Sequence, residues 1–343
     1  PPLTAAAWTA IVSGAGSGTN GVPSLMVKHL GEDLDHWHTS FDRNEVLCET
    51  MWDVGKRLGK KVALINWPVT FPMGAISEED GCQLAGSLNP PFRYFFMRLR
   101  DVASSACFSN QKLRCNQIPG RAVQLEARPA EGWTNLPESK RPPLEFDIVV
   151  PPTYVEGYPM HVLMYASTDT GYDRMLISES KDAAQAITDI THGELGPWIT
   201  KNFKARDYER DGRFRFQILQ LTPDGKNFKL YQSAINMAEP YSVPSSLSKE
   251  VEAVAGTYME AFMDGWMAPE LYLDQLQMHA NWWGNATKYV LEHQQWDMAF
   301  SWVGTIDHIE HVLYAGIEPK ARVYDPDKAD FCWHMIRETY RQV

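Results

Sequence analysis

The stretch Trp296-Asp297-Met298-Ala299-Phe300-Ser301-Trp302-Val303-Gly304-Thr305-Ile306-Asp307-His308-Ile309-Glu310-His311 limits the fold more than any other part of the chain. An apolar run of strand length enters a Gly-Thr turn and then a segment that reads as the start of a helix. Towards the other end the order is reversed. Glu45 to Leu58 places Val46, Leu47, Met51, Val54 and Leu58 on or near one helical face, Gly59 ends it, and Val62 to Trp67 reads as a strand. Steps of both kinds belong to a layered α/β core. Open α/β sheets keep their chemistry at the carboxyl ends of their strands, and there the sequence sets Asp307 and His311. The two lie four positions apart, so a carboxylate and an imidazole share one helical face. Both are zinc-type ligands. The same spacing also serves an ordinary surface hydrogen bond, so the pair draws its weight from the rest of the chain.

At the opposite end stand Pro1-Pro2-Leu3-Thr4, then Ala5-Ala6-Ala7-Trp8-Thr9-Ala10-Ile11-Val12-Ser13-Gly14. Two prolines disfavour helix before Thr4, the alanine-rich run favours it afterwards, and Gly14 stops it. Thr4 is thus expected at the N-cap. A threonine there caps the helix. Its hydroxyl also lies in a positive field that favours an alkoxide and a bound phosphate, and a neighbouring metal ion would complete its activation.

In these residues the chain resembles the type I phosphodiesterase/nucleotide pyrophosphatase branch of the alkaline phosphatase superfamily. That family's nucleophile motif is a Pro-rich approach, Thr or Ser, a short apolar stretch, then Thr-Gly and His-Gly-Ile. The corresponding positions are Pro1-Pro2-Leu3-Thr4, Ala5-Ala6-Ala7-Trp8, Ser13-Gly14 and Asn20-Gly21-Val22. The family's Asp-x-x-x-His metal motif matches Asp307 and His311, and Lys61 to Pro72 resembles its next core strand with a proline-containing exit. The resemblance implies an alkaline-phosphatase-like three-layer α/β sandwich with a mostly parallel central sheet and a β-rich insertion. Residues 1–73 would open the core, 74–240 form the insertion and 241–343 complete the core. It further implies a two-zinc site, with other divalent metals open, in which Asp307 and His311 hold one ion and Thr4 is both metal-bridging and nucleophilic. The substrate would be a small-molecule phosphate ester, attacked in line by Thr4.

The family places further ligands before Thr4 and after Val343, so the sequence reads as a piece of a longer domain. Asn20 stands where the family has His and is expected to be structural. Leu25 stands where nucleotide pyrophosphatases carry an amide, which does not favour nucleotide diesters. Phosphomonoesterase, phosphonate hydrolase and phosphomutase chemistry remain alternatives, as does a non-catalytic binding protein. His308 and Glu310 flank the ligands, and His308 is expected on a solvated helix position, with a place pointing into the site behind the ligands as the alternative.

A chain of 343 residues with 44% hydrophobic content supports a large core. The net charge of −11 argues against a nucleic-acid duplex as partner. No stretch is apolar for long enough to span a membrane. Five scattered cysteines without C-x-x-C spacing argue against a disulfide framework, leaving a Cys107–Cys115 bridge open. Compartment and oligomeric state are not readable.

Between the two ends the texture changes. Phe214 to Leu221 and Phe228 to Tyr231 flank Pro223-Asp224-Gly225, a hairpin signal, and His161 to Ala166 reads as another strand. Trp133, Tyr154, Tyr158, Tyr172 and Trp198 could line a substrate pocket or serve as local core contacts. The glycine-rich Gly14 to Gly21 lacks a P-loop ending and reads as a loop. So do the surroundings of His36-Trp37-His38, which sets that pair against a metal role. Ser245 to Trp266, Leu273 to His293 and Asp325 to Arg341 read as helices, and the sequon at Asn285 falls inside the second of them.

Overall fold

Four consecutive residues, Val62, Ala63, Leu64 and Ile65, have no solvent exposure, which is the signature of a central strand covered on both faces. In the computed structural model this strand, Val62–Ile65, pairs in parallel with Gly81–Leu84 on one side and Met298–Ser301 on the other, and Ser242–Val243 adds an antiparallel edge beyond Gly81–Leu84. The residues described are 3–70, 72–85, 105–113, 121–150, 157–204, 209–238, 241–258 and 269–343. Among them the architecture is mixed α/β, with seven α-helices and several sheets, some purely antiparallel and some mixed.

The chain divides into two compact units. The first comprises Pro1–Leu99, Met237–Ala261 and Leu273–Val343. It contains the sheet just described, so Gly81–Leu84, which the sequence groups with the β-rich segment, pairs in the core. One face is covered by Leu247 and Val251 of the helix Ser245–Ala255 and by Trp282, Trp283, Ala286 and Val290 of Pro269–His293. Val62 and Leu64, on alternate positions, pack instead with Val12, Trp52 and Ile76. Sequence and structure differ at two helix starts. Leu3, not Thr4, is the N-cap of Thr4–Ser13: it is extended, and its carbonyl accepts from Ala7 N at 2.8 Å, so Thr4 is already the first helical residue. The helix expected from Glu45 begins only at Met51, because Thr50 and Asp53 form a reciprocal capping box. The expected loop Gly14 to Gly21 holds a single helical turn, Ser17–Asn20. Asn20 is fully buried there, donating to Ala15 O at 2.8 Å and accepting from Val22 N at 2.9 Å, a structural role.

The second unit, Arg100–Asn236 with Phe262–Tyr272, is built from antiparallel and mixed sheets. Strand Tyr158–Tyr165 pairs with Leu144–Val150 and Arg174–Ser178, and Phe216–Leu221 forms the expected hairpin with Phe228–Gln232. Phe146 and Phe228 stack at 4.6 Å in its core. The aromatic candidates are local contacts. Tyr172 is buried, Tyr158 packs edge-on against Phe203, Trp133 donates to the buried Glu145 carboxylate at 2.6 Å, and Trp198 lies 4.9 Å from the Arg215 guanidinium. The helix expected from Ser245 to Trp266 ends at Ala255, where Gly256 takes φ +77° and its N–H donates to Glu252 O, while Tyr154 and Cys115 fall outside the described residues.

Gly81 decides how closely the central strands approach. Its φ is +145°, and a Cβ there would sit 2.0 Å from Val62 O. A side chain must therefore displace backbone at the first pair of a parallel ladder. Gly81→Ala is expected to lower unfolding free energy by about 3 kcal/mol or more in urea denaturation, the sum of strain and overpacking; a change below about 1 kcal/mol would contradict this account.

Candidate functional site

The chain runs from Val62–Ile65 to its neighbour Gly81–Leu84 and only much later to Met298–Ser301 on the other side. Strand order therefore reverses at the central strand, and the crevice beyond the carboxyl ends is where an open sheet offers a ligand site. Asn66, the first residue past the central strand, ties all three ends together. Its N–H donates to Leu84 O at 2.8 Å, its Nδ2 donates to Trp302 O at 2.9 Å, and Trp302 N donates to Ile65 O at 3.1 Å. Asn66 has no solvent exposure, and among the described residues its buried Oδ1 has no hydrogen-bond partner.

The backbone at this exit is unusual. Asn66 has φ +55° and Val69 has φ +65°, the latter a conformation that a β-branched residue rarely adopts. Such strain persists only where surroundings enforce it. Here Thr70 Oγ1 donates to Trp67 O at 2.7 Å, and the buried Gln83 side chain donates to Thr70 O at 2.9 Å while accepting from Gly74 N and Ala75 N.

Three indoles gather at the same edge. Trp8 of the first helix meets Trp67 edge-on with ring centroids 5.0 Å apart and Trp302 at 6.3 Å. Trp8 lies one turn along from Thr4, so this contact brings the helix that begins at Thr4 to the exit that leads to Asp307. Gly304 is required there, since a Cβ would come within 2.6 Å of the Trp302 ring. It N-caps the helix Thr305–Ile317, whose first turn carries Asp307. His311 Nε2 lies 3.5 Å from Asp307 Oδ1, with both side chains open to solvent. Thr4 is half-buried, and among the described residues no hydrogen bond joins it to either. Although the Asp307 side chain is 47% exposed, loss of water contact holds its carboxyl above the ordinary value, with His311 opposing the rise and Glu310 adding to it.

His308 is not on a solvated position. Burial, with a further contribution from His311, pushes it down to about 4, and its ring lies 5.2 Å from that of His279. His279 is a residue that sequence reasoning missed. It is fully buried on the helix Pro269–His293, along the same face as Leu276, Trp283, Ala286 and Val290. Trp283 Nε1 donates to His279 Nε2 at 3.2 Å, so the other nitrogen carries the proton, and His279 Nδ1 meets Thr305 Oγ1 at 2.8 Å. The only signal was a histidine at core spacing in an apolar stripe. Glu310 accepts from Tyr340 OH at 2.7 Å.

Comparison with known protein families, curated proteins and solved structures finds no match. What the arrangement can do rests on its residues. Among the described residues, no helix is long and apolar enough to cross a membrane.

Complete burial depresses His279 well below its ordinary value, with His308 adding to the effect. In the unfolded chain it titrates near pH 6.5, so protons favour the unfolded state. Its stabilising contribution is whole above that pH and is lost as pH falls towards the depressed folded value. His279→Gln is expected to flatten the slope of unfolding free energy against pH between 6.5 and 5, by up to about 1.4 kcal/mol per pH unit. Parallel slopes for the two proteins would show that His279 is not neutral in the fold.

Proposed function

We propose that this chain belongs to a metal-dependent hydrolase of phosphate esters, of the type I phosphodiesterase/nucleotide pyrophosphatase kind within the alkaline phosphatase superfamily, built on a three-layer α/β sandwich. The observation that carries this reading is the Trp8–Trp302 contact at the sheet's switch point, which sets the helix of Thr4 against the exit to Asp307 and His311. Trp8 and Trp302, from opposite ends of the chain, thereby meet at one edge of one sheet. The donor set also suits an ion. Asp307 Oδ1 and His311 Nε2 are 3.5 Å apart, close to the roughly 3.3 Å that separates neighbouring ligands on tetrahedral zinc with bonds of about 2.0–2.2 Å.

In this reading Asp307 and His311 hold one of two zinc ions, and other divalent ions of similar preference fit the same donors. Such ions supply charge neutralisation on the attacking and leaving oxygens and lower the pKa of a nearby hydroxyl. Thr4 attacks phosphorus in line through Oγ1, its proton leaves to solvent, and the ester oxygen departs. A phospho-threonine results; water then attacks its phosphorus, the P–Oγ1 bond breaks, the phosphate product leaves and Oγ1 regains a proton. The helix N-terminus contributes its positive end to the phosphoryl oxygens. The fully buried His279 and the half-buried His308 act behind this surface: with Thr305 they fix the first turn of the helix that presents Asp307. The substrate class is a small-molecule phosphate ester.

The assay uses the protein supplied with zinc. It should hydrolyse bis(p-nitrophenyl) phosphate faster than p-nitrophenyl phosphate in the presence of zinc, and chelation should abolish turnover. Thr4→Ala is expected to reduce kcat at least about a thousandfold, as removal of a nucleophile does. Asp307→Asn should lower zinc content together with activity. Turnover that survives Thr4→Ala would remove the nucleophile from this account, and preference for the monoester would move the chemistry to another branch of the superfamily.

A further inference from the structure

The loop between strands Met26–Val27 and His38–Thr39 gathers three imidazoles around one carboxylate. Glu32 Oε2 lies 2.7 Å from His38 Nε2, and Glu32 Oε1 lies 3.7 Å from His29 Nδ1 and 3.8 Å from His36 Nδ1. The rings of His29 and His38 stack with centroids 4.0 Å apart, and those of His36 and His38 are 4.7 Å apart. We propose that His29, Glu32 and His38 form a zinc-type divalent-cation site that clasps this hairpin, independent of Asp307 and His311.

Three observations carry the assignment. Each of the three residues offers a ligand atom, and these atoms lie within 4.8 Å of one another, so sub-ångström to ångström shifts bring them to the spacing of ligands on one ion. A tetrahedral shell is completed by His36 or by water. Second, the outer contact is already made. His29 Nε2 lies 2.8 Å from a Glu45 carboxylate oxygen, which fixes the ring and leaves Nδ1 towards Glu32, the carboxylate–histidine arrangement that orients metal ligands. Third, apolar burial does not hold the loop. Leu30 is 105% exposed and Leu34 is 89% exposed, so the turn has no core of its own. Two stacked imidazoles repel when both are protonated, whereas both can donate lone pairs to a shared cation. Imidazole with carboxylate selects zinc, cobalt, nickel or copper over magnesium or calcium.

The clasp has a structural consequence. The hairpin's flanks, Val22, Leu25 and Phe41, pack with Ala5 and Val69, next to Thr4 and within the strained exit of the central strand. An ion that fixes the loop therefore stiffens the support of the first helix.

The test is metal binding by the 1–343 chain after chelation and dialysis. Calorimetry with zinc and the visible absorption of added cobalt report stoichiometry and tetrahedral geometry, and trypsin or Glu-specific protease reports order within 28–39. The wild-type chain should bind one equivalent that persists in Asp307→Asn/His311→Ala. That equivalent should weaken 10- to 100-fold in His29→Ala/His38→Ala and in Glu32→Gln. Zinc should slow cleavage in the loop of the wild type and leave the His29→Ala/His38→Ala protein unaffected, with circular dichroism confirming that both are folded. An unchanged binding curve in these variants, or loop cleavage indifferent to zinc in the wild type, would overturn the site. Neither outcome bears on Thr4, so failure here is distinct from failure of the hydrolase reading.

Discussion

The first unit depends on a pairing between two strands that are far apart in the chain. Met298–Ser301 lies in register with Val62–Ile65, and both ends of the pair are pinned by side chains across 236 positions: Asp297 Oδ2 accepts from Lys61 N at 2.8 Å, and Asn66 Nδ2 donates to Trp302 O at 2.9 Å. Closing so long a loop costs little more than closing a short one, since each doubling adds only about 0.6 kcal/mol. The determining quantity is the apolar surface brought together, and Val62 to Ile65 are wholly removed from water. A second unit can thus occupy the intervening chain without weakening the sheet that precedes and follows it.

The same pairing shapes the exit of the central strand. Once Gly81–Leu84 and Met298–Ser301 flank the central strand, its exit must turn away sharply, and Asn66 and Val69 take positive φ to do so. The fully buried Gln83 satisfies the freed backbone of Thr70, Gly74 and Ala75, so the strained turn is held by a hydrogen-bond network. A stiff exit of this kind gives Trp67 and Trp302 fixed positions, and through them fixes Trp8 and the helix that begins at Thr4. Rigid supports of this sort hold a helix start in one position.

Local patterns were legible where one element carried its own signal. The apolar run before Gly304, the helix after it and the hairpin around Pro223-Asp224-Gly225 could be read directly, because alternation and turn chemistry are local. Gly81–Leu84 was not legible as a core strand, since a four-residue run after a polar turn declares its sheet only by pairing with Val62–Ile65. The cap at Thr4 was misplaced by one residue because a proline approach marks a helix start only approximately. His279 and His308 escaped for another reason. Their meaning lies in a contact between two helices, at 5.2 Å, that no spacing within either helix encodes. His29 and Glu45 are likewise joined across a loop, so the sequence showed only the neighbouring His36 and His38, in surroundings that read as unordered.

The charge of Asp307 at its helix start is only partly compensated. The N-terminus of a helix stabilises a nearby carboxylate, which taken alone lowers its pKa. The Asp307 carboxyl is nonetheless held above its ordinary value, because it has lost water and faces Glu310 on the next turn. His311 counters this, but His308, partly buried one position from Asp307, stays neutral in the physiological range because burial has pushed it down to about 4. The protein thus surrounds Asp307 with groups that do not neutralise it fully. A divalent ion between Asp307 and His311 would reverse the balance, replacing lost hydration with direct ligation and turning the Glu310 charge from a repulsive neighbour into a favourable one.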